Sequence, residues 1–457
     1  MNEEFDLLVR NGTLVSGSGR RQADVAIAAG RFVAITEPGG LSAAAQQAID
    51  AEGLFVLPGL IDGHVHFREP GLEHKEDWLT GSRAAVMGGI TTVLDMPNTL
   101  PPTDSVLRGQ AKADLAAESS YCDFGLFGLV GPDNHSALAP MARSGLVVGY
   151  KVFLGDTTGS LAPPSSDDLA RAMSTLAGLG LRLGAHAEDR QIVDRETARL
   201  RQAGRTDALA HLESRPVSAE VAAIRFFGAF ARHTGCPIHV FHLTSGDGLT
   251  AVEAERERGA EVTCEVSAHH CLLSADDYPH MGGLAKTNPP IREASEGAAL
   301  LAALADGPID ILASDHAPHA PHEKTAPDIW QVSAGINGVE TTLRLLLTHG
   351  VGAGRMTLER LVSVMSEAPA RTWGLWPRKG SVQVGADADL TIVDLQREGV
   401  IRGADLHGRH GVTPFEGWPT RGAAVTTIVR GRAVMHDGEL VAGPGWGRLV
   451  RRGRMEA

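Results

Sequence analysis

The side chains in this sequence best suited to demanding chemistry are His64, His66, Lys151, His186, His242 and Asp315. Each closes or sits inside a run of apolar residues, where a polar group without partners is costly to bury. His64-Val65-His66 follows Gly59-Leu60-Ile61-Asp62-Gly63, and period-two spacing sends both imidazoles to one side of an extended chain. Lys151 stands within Val148-Gly149-Tyr150-Lys151-Val152-Phe153-Leu154. His186, His242 and Asp315 close the runs 181–186, 238–243 and 309–315. Taken singly, each has a plain structural reading, such as a satisfied histidine or a snorkelling lysine. Taken together, four imidazoles and a carboxylate on four strand ends point to divalent metal. Such donors suit zinc, with manganese, cobalt and iron as alternatives. Five ligands and a lysine exceed what one tetrahedral ion needs, so two metals are expected. An ammonium cannot ligate a metal, but carboxylation by carbon dioxide would turn Lys151 into an anionic bridge with two oxygens.

Placing these residues together requires a frame that gathers many strand ends. Eight apolar runs fall at 59–67, 90–96, 122–130, 147–154, 181–186, 238–243, 261–269 and 309–315, with Ala/Leu/Glu/Arg-rich helical stretches such as 167–179 and 219–233 between them. Continuous apolar strands alternating with helices indicate a parallel sheet buried on both faces. Eight such units predict a (β/α)8 TIM-type barrel, with an open doubly wound sheet as the alternative. A barrel brings every strand's C-terminal end to one face, where catalytic groups sit. The segment 195–214 reads as an inserted polar helical excursion. A serine hydrolase built from Ser314, Asp315 and His316 is disfavoured, because adjacent residues on one strand cannot all converge on one point.

Both ends of the chain read differently from its middle. Short strands at 5–9, 13–15, 24–27 and 31–35 alternate with Asn-Gly, Gly-Ser-Gly and Ala-Gly turn signals, and strands at 388–393, 424–429 and 432–435 follow Gly380 and Gly385. The expected organisation is a small β-sandwich from residues 1–56 and 374–457 around a barrel at 57–373. The length of 457 residues suits a barrel plus a smaller module, and 43% hydrophobic residues suffice for a large core. A net charge of −13, with no basic tract beyond Arg451-Arg452, argues against nucleic-acid or anionic-membrane partners. The acidic start lacks an apolar run, and no stretch approaches the ~20 apolar residues of a membrane span. Cys122, Cys236, Cys264 and Cys271 lie in apolar segments and read as buried free thiols. A cytoplasmic location is expected.

Several longer motifs carry a family resemblance. The segment from Pro58 to Gly71, reading PGLIDGHVHFREPG, resembles that of dihydroorotases within the amidohydrolase superfamily. So do Met96-Pro97-Asn98-Thr99, Asn288-Pro289-Pro290-Ile291-Arg292 and Ser314-Asp315-His316-Ala317-Pro318-His319, and the similarity runs on to Gly385–Leu390. The resemblance implies one metal on His64, His66 and Asp315, a second on His186 and His242, and a carboxylated Lys151 between them. Asp156 offers a less favoured alternative to that lysine. It further implies a hydroxide between the metals attacking a ring amide, with Asp315 as the general acid and base.

The ring itself is the finer question. Dihydroorotate carries a carboxylate that allantoin, hydantoins and dihydropyrimidines lack. Arg68, two residues beyond His66, offers a guanidinium suited to bidentate carboxylate binding. By resemblance Arg68, Asn98 and His319 hold that carboxylate and Asn288 contacts the ring. The plain readings are an Arg68 ion pair with Glu69 or Glu73, a turn at Asn98 and a loop histidine at 319. The expected activity is therefore a dihydroorotase of pyrimidine synthesis, interconverting dihydroorotate and N-carbamoyl-aspartate. The alternatives are an allantoinase, hydantoinase or dihydropyrimidinase, and a non-catalytic scaffold. A homo-oligomer, dimer or tetramer, is expected, with association with a transcarbamoylase as a further expectation. His269-His270, at the end of the seventh run, reads as structural, and 155–159 reads as a loop over the mouth or an ordinary connection.

Overall fold

A computed structural model describes residues 5–41, 45–155 and 161–453. Asp156, Thr157, Thr158 and Gly159, singled out in the sequence, lie outside the described residues. The N-terminal strands are β1 (Phe5–Ser16), β2 (Gly19–Ala28), β3 (Arg31–Thr36), β4 (Ala45–Asp50) and β5 (Phe55–Pro58). Eight further strands follow as β6 (Leu60–Val65), β7 (Ile90–Asp95), β8 (Asp123–Leu129), β9 (Val147–Phe153), β10 (Leu183–His186), β11 (Ile238–Val240), β12 (Val262–Ser267) and β13 (Ile311–Ala313). The chain ends with β14 (Leu390–Val400), β15 (Pro419–Val429), β16 (Arg432–His436) and β17 (Glu439–Leu440).

Strands β6 to β13 pair in chain order, every pair parallel. A parallel bridge between Val65 and His316 brings the last strand round to the first, and the Asp62 carboxylate accepts from the Ser314 N–H at 3.1 Å across the same seam. This is the expected eight-stranded barrel. Its strands bury both faces, which is why they read as unbroken apolar runs. Tyr150 and Val152 point outward into the large core under the helices, while Lys151 between them points into the barrel. Inside, Trp373 packs edge-on to Phe127 at 4.6 Å and stacks with Phe241 at 5.9 Å, closing the interior below the polar end. That packing requires glycine nearby: a Cβ on Gly184 would lie 2.0 Å from the Phe241 ring.

The terminal strands form one nine-stranded sheet, in which β5 pairs with β14 and so joins the two ends of the chain. Its apolar core draws on both, with Leu7, Val25, Phe32 and Val56 beside Ala388, Ile392 and Ile428. The runs 5–9 and 13–15 are a single strand with an irregularity between Val9 and Gly12. Strands β4 and β5 escaped the pattern reading because β4 is exposed at most positions and β5 is only four residues long. The 195–214 excursion is two helices, Arg190–Gln202 and Ala208–Ser214, each started by an aspartate cap. His269 and His270 do not close the seventh strand. β12 stops at Ser267 and both histidines lie in the short helix Ala268–Leu272. No helix among the described residues is long and apolar enough to cross a membrane.

Candidate metal centre

The C-terminal ends of the strands converge as a barrel requires. His64 lies on β6 and His66 one residue beyond it, Lys151 in β9 and His186 at the end of β10. His242 and Asp315 lie two residues past the ladders of β11 and β13. The chain there leaves the extended region: His242 has φ 39° and Asp315 φ 47°, and Arg68 has φ 65°. Left-handed backbone at non-glycine residues is unfavourable by roughly 1–3 kcal/mol each and persists only where the surroundings impose it. Three such residues line one narrow cavity with His64, His66, Asn98, Lys151, His186 and Asn288.

Hydrogen bonds behind the ligand candidates fix which ring nitrogens face the cavity. Glu265 on β12 takes His64 Nδ1 at 2.6 Å, and the Asn98 Oδ1 takes His66 Nδ1 at 2.8 Å. Both acceptors place the proton on Nδ1, so both Nε2 lone pairs turn toward Asp315 Oδ1, at 3.3 and 3.4 Å. The three ligand atoms lie within 4.8 Å of one another. Three lone pairs brought together this way repel unless a cation joins them, so this donor set fits a divalent metal. His186 gives Nε2 to Glu188 at 2.8 Å, which turns its Nδ1 toward His242 Nε2 at 3.0 Å. His242 Nδ1 is buried without a hydrogen-bond partner. These two imidazoles, beside Lys151, fit a second ion.

The electrostatics favour ligands in the right protonation state. Burial, reinforced by the nearby Lys151 cation, holds His64, His186 and His242 below the usual imidazole range, and His66 is lowered by burial and Arg68. Burial lowers the Lys151 ammonium to about 7 against the pull of Asp315 and Glu265, and its Nζ sits 3.7 Å from the Phe241 ring centre. Burial raises Asp315 to about 6.

Residues 55–434 match the amidohydrolase family. The chain belongs to that family. This amidohydrolase is 40% identical to an allantoinase of Solibacter usitatus over 449 residues, 98% of this chain and 97% of that protein. It is 41% identical to a dihydroorotase of Methanothermobacter thermautotrophicus over 401 residues, 88% of this chain and 89% of that one. Among solved structures, the L-hydantoinase (dihydropyrimidinase) of Arthrobacter aurescens matches with a TM-score of 0.95 at 35% identity, covering 98% of this chain and 100% of that chain.

Of the three residues expected to clamp a carboxylate, the wall of the amidohydrolase cavity carries Arg68 and Asn98 and not His319. Arg68 and Asn98 line the cavity, as does Asn288, whose buried Oδ1 has no hydrogen-bond partner. His319 instead stands behind Arg68. Lys75 Nζ, which can only donate, lies 2.9 Å from His319 Nδ1, leaving the proton on Nε2 for the Ala334 carbonyl at 2.9 Å. Asn98 lines the wall with its amide oxygen engaged by His66. Arg68 is buried and anchored through Nε to the Pro318 carbonyl at 3.2 Å, and burial lowers it to about 10.

Residues behind the site went unnoticed in the sequence. Glu265 also meets His239 Nε2 at 3.1 Å, and Glu188 pairs with Arg215. One signal was available: a glutamate inside a buried strand, and another two residues beyond a strand-end histidine, each need a partner.

Proposed function

We propose that this cyclic amidohydrolase opens an uncharged cyclic ureide ring of the allantoin or hydantoin kind. The observation that carries this reading is the cavity wall, where His319 lies outside the cavity and Arg68 is tied through Nε to the Pro318 carbonyl, with its Nη2 against His319. Support also comes from the full-length similarity to an allantoinase and to an L-hydantoinase. His64, His66 and Asp315 would hold one divalent metal, and His186 and His242 a second, with a carboxylated Lys151 between them. Bound there, the metals would supply an activated water near neutral pH and polarise the ring carbonyl. Asp315 accepts the proton of the attacking water and returns it to the departing ring nitrogen. Asn288 offers its free carbonyl to a ring N–H. Glu265, Asn98 and Glu188 keep the imidazoles in the ligating tautomer.

A second reading, dihydroorotate as substrate, is favoured by Arg68 itself, a buried cation on the cavity wall, and by the 41% identical dihydroorotase. The test is a panel of allantoin, hydantoin, dihydrouracil and dihydroorotate on metal-replete wild type and Arg68→Met. The proposal expects kcat/KM for allantoin or hydantoin at least roughly tenfold above dihydroorotate, and little change on it in the variant. Turnover of dihydroorotate alone, abolished by Arg68→Met, would establish the second reading instead.

A further inference from the structure

A second cleft, of ≈ 450 Å³, opens beside the start of β8, at the end of the barrel remote from the metal centre. Arg31, Arg378, Arg430, Arg432 and Arg448 line it, against the carboxylates of Asp6 and Asp387. Five guanidiniums in one cleft stand out on a chain of net charge −13. The two carboxylates are already engaged. Asp387 serves Arg378 at 2.9 Å, Lys379 at 3.1 Å and Arg31 at 3.9 Å, and Asp6 accepts the Ala29 N–H at 2.7 Å.

Of the remaining arginines, Arg430 is paired and Arg432 and Arg448 are not. Arg430 is 8% exposed; its Nη1 meets Asp123 at 3.1 Å and its Nη2 the Trp446 carbonyl, while its buried Nε has no hydrogen-bond partner. Arg432 and Arg448 are exposed and make no ion pair among the described residues. Both guanidiniums lie over the Trp446 ring, 5.0 and 6.0 Å from its centre, with Arg430 at 4.8 Å. Trp446 is fixed by its own Nε1–H to the Val429 carbonyl at 2.8 Å. One anchored indole therefore gathers three like charges that would otherwise separate.

We propose that this cleft binds a phosphate group, as inorganic phosphate or on a small phosphate monoester. Guanidinium forks that share one cleft match the tetrahedral oxygens of a dianion, and Arg432 and Arg448 have no counter-charge of their own. The guanidiniums already lie against Trp446, so the ligand is recognised by charge and not by ring stacking. The acidic surface of the rest of the chain disfavours an extended polyanion such as nucleic acid or a membrane.

The test is calorimetric titration of the full-length protein with inorganic phosphate and, separately, with glycerol phosphate. The metal centre and Arg68 could also take phosphate, so wild type, Arg68→Met and the double variant Arg432→Ala/Arg448→Ala are compared. Saturable binding is expected in wild type and in Arg68→Met, with affinity lower by about tenfold or more in the double variant. Sulfate should compete, and chloride at matched ionic strength should not. The tighter of the two probes identifies the form of the ligand. Undiminished binding in the double variant, loss in Arg68→Met alone, or no saturable binding in wild type overturns the proposal. Should the double variant fail to fold, the single Arg448→Ala variant carries the same comparison.

Discussion

At the N-terminal end of the barrel, buried Lys379 lies 2.5 Å from Asp123, 2.6 Å from Asp389 and 3.1 Å from Asp387. At the C-terminal end, equally buried Lys151 has the Phe241 ring at 3.7 Å as its near neighbour. The first ammonium is surrounded by counter-charge, so although burial pulls it down, its three aspartates hold it above the ordinary lysine range. The second is lowered to about 7 by the same burial. The network around Lys379 ties the start of β8 to the terminal sheet and is complete within the chain. The network around Lys151 leaves lone pairs and buried nitrogens facing one another, complete only with something added. Satisfied buried charge marks architecture here, and unsatisfied buried charge marks chemistry.

Substitutions at the two ends should therefore have opposite consequences. Asp315→Asn should lower kcat by roughly 10²–10⁴-fold while leaving the melting temperature near that of wild type, since it removes a proton carrier and not a packing element. Lys151→Ala should lose metal and fall at least as far, with short carboxylic acids partly restoring activity; metal analysis and steady-state rates check both. Full metal content in Lys151→Ala would break the contrast. Lys379→Met should do the reverse, destabilising the fold by about 3–5 kcal/mol because Asp389 would lose its cation and Asp123 would keep only Arg430. Denaturant unfolding measures this, and kcat/KM well below the melting point should hold.

Smaller effects sharpen the same division. Glu265→Gln should weaken metal binding by about 10–100-fold, read by competition with a chelator, because one amide oxygen cannot accept from both His64 and His239 as the carboxylate does. The Lys379 network also has a pH signature. Its folded pKa is raised, so its contribution is complete below the unfolded lysine value of about 10.4 and declines as pH rises above that. The stability gap between wild type and Lys379→Met should accordingly narrow in alkali, and it should also narrow in acid as the aspartates left without Lys379 take up protons. A gap unchanged as pH rises above about 10.4 would contradict the assignment.

Much of the barrel was legible because parallel strands buried on both faces must be apolar throughout, and each of the eight runs became a strand. Their ends were less legible. His242 and Asp315 read as strand termini, yet left-handed backbone carries them past the ladder and into the cavity. Strand β4 was invisible because an exposed edge carries no apolar pattern. The ligand candidates were legible as polar residues inside apolar runs. Glu265, Glu188 and Arg215 were not, because their importance lies in a contact with a histidine from a distant strand.

The residue types alone determined that four imidazoles, a lysine and an aspartate would meet at one end of a barrel, since chain order and strand direction leave them no other common place. Tertiary structure alone decided which atoms face the cavity, because a tautomer is set by the acceptor on the far side of the ring. It also decided that His319 backs Arg68 from outside the cavity. Likewise, arginines 31, 378, 430, 432 and 448 form no basic tract in the sequence, and folding the two ends of the chain into one sheet gathers them around Trp446.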